Sequence, residues 1–480
     1  MKKIASNITR REFLGQASCR AIGSASLFSA LLNLRMANSA AAQNLSSVDP
    51  FEYRALVCLY LHGGLDSYNM LLPRGEESHA AYQTTRTDLA IDKELILPLN
   101  DLSGKELGIH PSMAEVQQIF DAERLIFVAN VGTLVEPTSL SQYQNKQVPL
   151  PRGLYSHRDQ MQQWQTSIPD GNAAVGWGGR TADLLASLND SDKISMNISL
   201  NGNNIWQSGA TATSFQISKS GSIKRSGYDS VAGQSDAMVG AAIDSQLDLD
   251  YANLFKQTFV DISRSAIDAH EEFSSATDAV APFVATVYTD PLIDSEAEIS
   301  AINSLAGYFT MVAKSIAAHG TFGLRRQTFF VQYGGWDHHD DLLEKQEKML
   351  KVLSRCLKYF DDLMLEIGMG DKVTLFTESE FARTLNSNGE GSDHGWGGNH
   401  IVMGGAVNGR EIYGAYPDLY SGSSLDTGRG RLIPSLSVDE YFAELALWFG
   451  VSPSDLSTVL PNIDRFYQPG SGAPVGFLQV

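Results

Sequence analysis

Residues 392–400 combine side chains that bind metal ions with glycines that let a backbone bend tightly. The stretch contains Asp393, His394 and His400 together with three glycines. Carboxylate oxygens and neutral imidazole nitrogens are ligands for divalent cations, and glycine adopts the conformations that a tight ligand loop needs. An isolated Asp-His pair is more often a hydrogen-bonded core feature, so a metal site requires partner ligands from other parts of the chain.

Two apolar runs end in Gly-Gly and then in further acidic or imidazole side chains. Residues 55–61 lead to Asp66, and residues 328–333 lead to Asp337 and His339. Uninterrupted apolar runs are typical of strands buried on both faces of a parallel sheet, and ligands bind beyond the carboxyl ends of such strands. We therefore expect six residues to converge on one metal site: Asp66, Asp337, His339, Asp393, His394 and His400.

Six ligands of this kind can hold one or two divalent cations. Two cations about 4 Å apart can stabilise both the attacking and the leaving oxygen of an in-line displacement. Mixed Asp and His ligation suits zinc or manganese, whereas an oxygen-dominated subset suits calcium or magnesium. The sequence therefore predicts a divalent-metal cofactor without selecting among these four ions.

Two further residues have side chains that could act on a substrate at this site. Ser156 precedes a helical pattern, where free N–H groups favour an anion, so it is our candidate nucleophile; its ordinary role there is a helix N-cap. Arg383 follows the apolar run 373–377 and could hold an anion through two parallel hydrogen bonds, or form a salt bridge to Glu380 or another neighbour. Competing nucleophiles are Ser67, Thr138 and Ser139.

Composition and pattern favour one large α/β domain. The chain has 480 residues, of which 43% are hydrophobic, which is ample for a sizeable core. Strand-length apolar runs alternate with amphipathic helical patterns, and this predicts a three-layer α/β/α fold with a mostly parallel central sheet. Residues 170–240 are rich in Gly, Ser and Asn and are predicted to form an insertion of loops and short strands. Cys58 and Cys356 lie in apolar patterns, where thiols act as small buried hydrophobes.

The first 42 residues have the features of an export signal. Residues 9–14 (TRREFL) resemble the twin-arginine motif, and a moderately apolar run and three consecutive alanines follow. This predicts a cleavable signal peptide over residues 1–42 and a single domain over residues 43–480. The apolar run is too short and too interrupted to span a membrane. We expect a periplasmic or secreted protein that uses the twin-arginine export machinery and has no integral membrane span.

The charge balance argues against a nucleic acid or an anionic membrane surface as a partner. The net charge is −19, with 36 basic and 55 acidic residues. Residues 1–42 hold six of the basic residues and one acidic residue, so the remainder carries 30 against 54, or −24. An anionic substrate would therefore need a local positive centre, such as a metal ion or a specific arginine.

Four motifs resemble the DUF1501 family of exported bacterial proteins: Gly334-Gly335-Trp336-Asp337-x-His339, Glu380-Phe381-x-Arg383-Thr384, Asp393-His394-Gly395-x-Gly397 and Gly404-Gly405-x-Val407-x-Gly409. That family is similar to the alkaline phosphatase/sulfatase-like superfamily, which implies an alkaline phosphatase-like fold. It also implies an ordered site with a first metal Asp, a hydroxyl nucleophile at a helix start, an Asp…His pair, an Asp-His pair and a last His. The matching positions are Asp66, Ser156, Asp337 with His339, Asp393 with His394, and His400.

The resemblance implies an exported metal-dependent hydrolase that acts on anionic phosphate or sulfate esters, either small molecules or polymers. The alternative is a non-catalytic exported binding protein that keeps the fold and perhaps a structural metal. A third hypothesis is a serine hydrolase with an oxyanion loop at His62-Gly63-Gly64, but the Gly-x-Ser-x-Gly nucleophile motif is missing from the sequence.

Overall fold

The structure is a computed structural model that describes residue 49 and residues 51–191, 193–228 and 236–479. The predicted signal peptide, residues 1–42, lies outside the described residues. No helix in the described ranges is long and apolar enough to cross a membrane.

The described residues form fifteen β-strands, most of them short. They are β1 (Arg54–Tyr60), β2 (Leu71–Pro73), β3 (Leu97–Pro98), β4 (Leu107–Ile109), β5 (Leu125–Gly132), β6 (Asn197–Ser199), β7 (Phe215–Ser218), β8 (Gly221–Ser222), β9 (Arg326–Gln332), β10 (Val373–Glu378), β11 (Arg383–Ser387), β12 (Ser392–His394), β13 (Gly398–Met403), β14 (Ile412–Tyr413) and β15 (Leu436–Ser437).

The same residues form twelve α-helices. They are α1 (Glu76–Arg86), α2 (Ala114–Asp121), α3 (Leu140–Gln144), α4 (His157–Thr166), α5 (Trp177–Leu185), α6 (Ala237–Leu247), α7 (Leu254–Asp278), α8 (Glu296–Ala317), α9 (His319–Phe322), α10 (Leu342–Glu366), α11 (Val438–Phe449) and α12 (Leu456–Val459). Short 3₁₀ helices cover Thr87–Leu89, Ala186–Leu188, Pro453–Asp455 and Ile463–Arg465.

The central sheet has ten strands and is mostly parallel, as predicted. Its order is β14-β5-β13-β10-β1-β9-β6-β7-β8, and β15 also pairs with β5. Strand β1 runs parallel to both neighbours, so that Cys58 lies opposite Phe330 on one side and Phe376 on the other. The predicted buried strands β1, β5, β9 and β10 are all in this sheet, because their uninterrupted apolar runs suit burial on both faces.

Helices cover both faces of the sheet and give the predicted α/β/α layers. Helices α2, α8 and α10 pack together on one side, and α11 packs against β1 and β5 on the other. The start of α11 is fixed by a capping box, in which the backbone N–H of Glu440 donates to Ser437 Oγ at 3.1 Å. Cys58 and Cys356 are free and buried, which confirms that they serve as small core residues.

The segment at residues 170–240 contributes more to the core than a surface insertion would. It contains α5 and β6, and β6 pairs in parallel with β9, placing Ile198 opposite Phe329. Trp177 and Trp206 are fully buried, with ring centroids 5.5 Å apart. The Gly- and Ser-rich composition concealed these elements, because only a few large apolar side chains anchor them to the sheet.

Candidate metal centre

The loops that carry the candidate ligands meet at one edge of the sheet. Strands β1, β9 and β10 are parallel neighbours, so their carboxyl ends lie side by side. Strand β13 is antiparallel to β10, and the segment that precedes β13 therefore begins at the same edge. This arrangement brings the loop after β9 together with the loop between β12 and β13.

A close backbone approach locks the loops after β1 and β9 together. The N–H groups of Gly335 and Trp336 donate to the carbonyl of His62 at 3.1 and 3.2 Å. Gly63 has φ +125°, and a Cβ atom there would lie 2.6 Å from the backbone nitrogen of Asp337. Any other residue at position 63 would therefore push the Asp337 loop away.

Four side chains direct their ligand atoms towards one another. His394 Nε2 lies 3.1 Å from both His157 Nε2 and His339 Nε2. Asp337 Oδ1 lies 3.3 Å from His394 Nε2 and 3.0 Å from His339 Nε2, and Asp337 Oδ2 lies 3.5 Å from His157 Nε2. We call these four residues the His/Asp cluster. Their side chains are 24–46% exposed, so the cluster is open to a substrate.

The outer nitrogen of each imidazole in the cluster faces an oxygen that orients the ring. His157 Nδ1 lies 2.8 Å from Glu380 Oε1, and His394 Nδ1 lies 2.8 Å from the carbonyl oxygen of Tyr155. His339 Nδ1 lies 3.4 Å from Asp393 Oδ1. Acceptors placed behind the rings fix the tautomer and leave the Nε2 lone pairs directed into the cluster, which is the usual arrangement of metal-bound histidines.

The tautomers of His394 and His157 place two imidazole lone pairs opposite each other. A carbonyl oxygen can only accept, so a neutral His394 carries its proton on Nδ1, and a carboxylate at Glu380 imposes the same tautomer on His157. The two Nε2 lone pairs then face each other at 3.1 Å and repel unless a proton or a metal ion lies between them. Ligand atoms around tetrahedral zinc lie roughly 3.3 Å apart, given bonds of about 2.0–2.1 Å. The measured separations therefore fit a zinc-sized ion.

Charges around the cluster decide which groups are ionised. Burial acts to raise the pKa of Asp337, but the hydrogen bond and charge of Arg383 outweigh it and lower that pKa, so Asp337 is a carboxylate. The hydrogen bond to Glu380 raises the pKa of His157, whereas burial lowers the pKa of His394. A proton that competes with a metal ion would therefore reside on His157.

The predicted ligands divide into those inside the cluster and those outside it. Asp337, His339 and His394 belong to the cluster, and Asp393 lies behind His339 rather than beside the other ligand atoms. The prediction that Asp66 binds the metal is wrong. Asp66 is fully buried, and its Oδ2 pairs with the guanidinium of Arg86, 20 positions later in the sequence. The carboxylate that was expected to bind a metal ion thus forms an ion pair with a buried guanidinium.

The prediction that His400 binds the metal is also wrong. It lies in β13 within the core, where its ring is 4.7 Å from the ring of Trp164. Burial lowers the pKa of His400 to about 3, so the ring is neutral and behaves as an aromatic core residue. Its position in the regular part of β13, and not in the preceding loop, explains why it does not reach the cluster.

Arg383 and Ser156 both have structural partners. Arg383 is 1% exposed, and its guanidinium donates to Asp337 Oδ1 at 2.6 Å and to the oxygens of Ser392. This corresponds to the salt bridge to a neighbour that the sequence left open, with Asp337 and not Glu380 as the partner. Ser156 is the N-cap of α4 and accepts a long hydrogen bond of 3.5 Å from the N–H of Asp159.

Sequence reasoning missed two functional residues, His157 and Glu380. His157 is the first residue of α4, far in sequence from every other ligand, and no local pattern marks it as one. Glu380 offered a signal, because it follows the buried strand β10 in the same way that Asp337 follows β9. The sequence showed that Glu380 follows a strand, but it did not show that its partner is His157.

We expect the charge of Glu380 to tighten metal binding through His157. Glu380→Gln keeps the size of the side chain but removes the carboxylate that orients the imidazole, and losses of about 10–100-fold in metal affinity follow such changes. Competition between the protein and a chelating dye for zinc would measure this. Glu390→Gln, at an exposed acid in the loop before β12, is the matched control. Equal zinc affinity in the two variants would contradict the role of Glu380.

The fold and the site define an α/β protein with a His/Asp cluster suited to a divalent metal. Residues 53–426 match the family model described as "Protein of unknown function (DUF1501)". The chain therefore belongs to the DUF1501 family, which confirms the resemblance carried by its four motifs. No curated protein matches the chain.

Several solved structures are similar to the chain at low identity. A structure of Ps i-CgsB in complex with k-i-k-neocarrahexaose has 7% identity and a TM-score of 0.33, covering 86% of this chain and 78% of that one. The lipoteichoic acid synthase LtaP from Listeria monocytogenes has 7% identity and a TM-score of 0.28, covering 83% and 82%. BT1596, a 2-O GAG sulfatase, has 8% identity and a TM-score of 0.24, covering 75% and 66%. Function must therefore be derived from the side chains of this chain.

Proposed function

We propose that this protein is an exported, metal-dependent hydrolase of phosphate or sulfate esters. The observation that carries the proposal is the His/Asp cluster, in which His394 Nε2 lies 3.1 Å from His157 Nε2 and from His339 Nε2, and the Asp337 carboxylate lies 3.0–3.5 Å from all three nitrogens. Export rests on the twin-arginine-like residues 9–14, and it would place the active protein in the periplasm or outside the cell.

Zinc is the metal that the cluster suits best. His157, His339, His394 and Asp337 would hold it, and a set with three nitrogen ligands favours zinc over calcium or magnesium, which prefer oxygen. When bound, a divalent cation would supply Lewis-acid polarisation of an ester oxygen and would lower the pKa of a nucleophilic hydroxyl or water. Among the described residues, His157, Asp337 and His394 form one group whose ligand atoms all lie within 4.8 Å of one another, and His339 adjoins it through His394 and Asp337. The Asp66 carboxylate is paired with Arg86 instead.

The chain's own groups prepare this site for an anion. Helix α4 begins at His157, so its N-terminal N–H groups and the positive end of its dipole lie at the cluster. Ser156, the residue immediately before His157, is the hydroxyl we propose as nucleophile. Glu380 and Tyr155 keep the rings oriented, so little reorganisation is needed when a substrate arrives.

The test combines metal content with turnover of 4-nitrophenyl phosphate and 4-nitrophenyl sulfate. We expect about one zinc ion per chain and an activity that a chelator removes and zinc restores. Ser156→Ala separates a serine nucleophile from a water nucleophile, and Ser295→Ala is its control because Ser295 also caps a helix, α8, and is not a candidate nucleophile. Turnover that is insensitive to chelators would contradict metal dependence.

A non-catalytic protein with a structural metal is the second candidate. The observation that favours it is that arginines already pair with two acidic groups at the site, Arg383 with Asp337 and Arg429 with Asp393. Stoichiometric zinc without turnover of either ester would support this candidate and overturn the hydrolase.

A further inference from the structure

Arg429 is an exposed cation at the edge of the His/Asp cluster. Its Nη2 pairs with Asp393 Oδ2, and the other carboxylate oxygen of Asp393 lies 3.4 Å from His339 Nδ1. The Arg429 side chain is 51% exposed, so the pairing with Asp393 leaves the rest of its donors open to solvent. The Asp393 carboxylate alone thus separates this guanidinium from His339, one of the proposed metal ligands.

The loop that carries Arg429 is firmly built. Asp426 Oδ1 accepts hydrogen bonds from the N–H groups of Gly428 at 2.7 Å and Gly430 at 2.8 Å. The carbonyl of Gly430 accepts from the N–H of Leu385 at 3.1 Å, which ties the loop to β11. Arg429 itself has φ +64°, a conformation that costs a non-glycine residue free energy and that the surrounding hydrogen bonds hold in place.

The other arginines at the site are engaged elsewhere. Arg383 is 1% exposed and donates to Asp337 and Ser392. The Arg431 Nε donates to the carbonyl of His394 at 3.1 Å, and its guanidinium lies 4.6 Å from the ring centre of Tyr155. These two arginines position ligands of the cluster, and Arg429 is the most exposed of the three.

We propose that Arg429 binds the anionic oxygens of the phosphate or sulfate group, with Asp393 holding the guanidinium in place. This inference rests on the proposed function, since it assigns the charged end of the same substrate. A planar guanidinium offers two parallel hydrogen bonds to such an oxyanion. A chain with a net charge of −19 repels anions over most of its surface, so a local cation is needed to hold one.

The experiment measures anion binding separately from turnover. The purified zinc-loaded protein is titrated calorimetrically with inorganic phosphate and with sulfate, and 4-nitrophenyl phosphate turnover is measured in parallel. We expect Arg429→Gln to weaken phosphate binding and to raise KM at least about 10-fold, with zinc content unchanged. Arg429→Lys should lose less phosphate affinity than Arg429→Gln, because lysine keeps the positive charge but cannot donate two parallel hydrogen bonds.

Arg410→Gln is the matched control. Arg410 also has a positive φ, +58°, and its N–H donates to the carbonyl of Leu125, which begins β5 at the opposite edge of the sheet. Removing this charge should leave both phosphate affinity and KM as in the wild type. The Arg410→Gln variant therefore controls for the change in net charge and for the relief of backbone strain.

The outcomes separate this inference from the hydrolase proposal. If Arg429→Gln binds phosphate as tightly as Arg410→Gln while turnover persists, Arg429 is not the anion-binding residue and the hydrolase proposal stands. If Arg429→Gln loses phosphate binding but no variant turns over an ester, the anion site stands and the hydrolase proposal fails. A wild-type protein that binds neither phosphate nor sulfate overturns the anion site.

Discussion

His394→Ala is expected to abolish stoichiometric zinc binding. His394 Nε2 lies within 3.3 Å of the ligand atoms of His157, His339 and Asp337, so it contacts each of the other three members of the cluster. Losing an inner ligand should cost more than the 10–100-fold that changes to the orienting groups cost. Metal analysis after gel filtration would show the loss, and hydrolase activity should disappear with the metal.

His400→Phe provides the sharpest comparison with His394→Ala. The sequence made both histidines candidate ligands, but His400 is buried 4.7 Å from the Trp164 ring, measured between ring centres. Phenylalanine replaces one aromatic ring with another, so the zinc content should stay at the wild-type level. Loss of zinc in His400→Phe together with its retention in His394→Ala would refute the His/Asp cluster.

Arg86→Met is expected to destabilise the fold by about 3–5 kcal/mol, because it leaves the carboxylate of Asp66 buried without a partner. Both side chains are 0% exposed, and Arg86 also donates to the carbonyls of Thr384 and Leu385. The shift of the urea unfolding midpoint of the metal-free protein would measure the loss. Zinc content should remain unchanged in the fraction that folds, since the pair lies outside the His/Asp cluster.

The double variant Asp66→Leu/Arg86→Met tests whether an unpaired charge causes the loss. Removing both charges spares the cost of burying one alone, so the double variant should be more stable than Arg86→Met. A double variant that is no more stable than the single one would show that the other hydrogen bonds of Arg86 dominate. Loss of zinc in Asp66→Leu/Arg86→Met would indicate that Asp66 is a metal ligand after all.

Much of the scaffold was predictable from local patterns. The apolar runs at residues 55–61 and 328–333 appear as β1 and β9, and the stripe of apolar residues after residue 341 appears as α10. Ser156 is an N-cap, which is the ordinary role that the sequence offered beside that of candidate nucleophile, because capping depends on residues only a few positions apart. The motifs also identified the family, which the match over residues 53–426 confirms.

The partners of the polar groups were not predictable, because tertiary packing and not sequence spacing selects them. His157 and His394 are 237 positions apart, and the Arg326–Phe449 contact spans 123. Asp66 was assigned to the metal because it follows β1, yet the residue that neutralises it belongs to α1. No periodicity or spacing in the chain states which cation will reach a buried carboxylate.

The sequence by itself determined the strands, the covering helices, the family and the edge of the sheet where ligands gather. These features follow from burial patterns and from the rule that parallel strands present their carboxyl ends at one edge. Only the tertiary structure decided which ligands meet. His157, at the start of α4, lies in the cluster together with the predicted ligands Asp337, His339 and His394. Asp66 and His400 lie in the core instead. The physical reason is that a metal site is defined by distances of about 3 Å between side-chain atoms, and those depend on how separate loops pack.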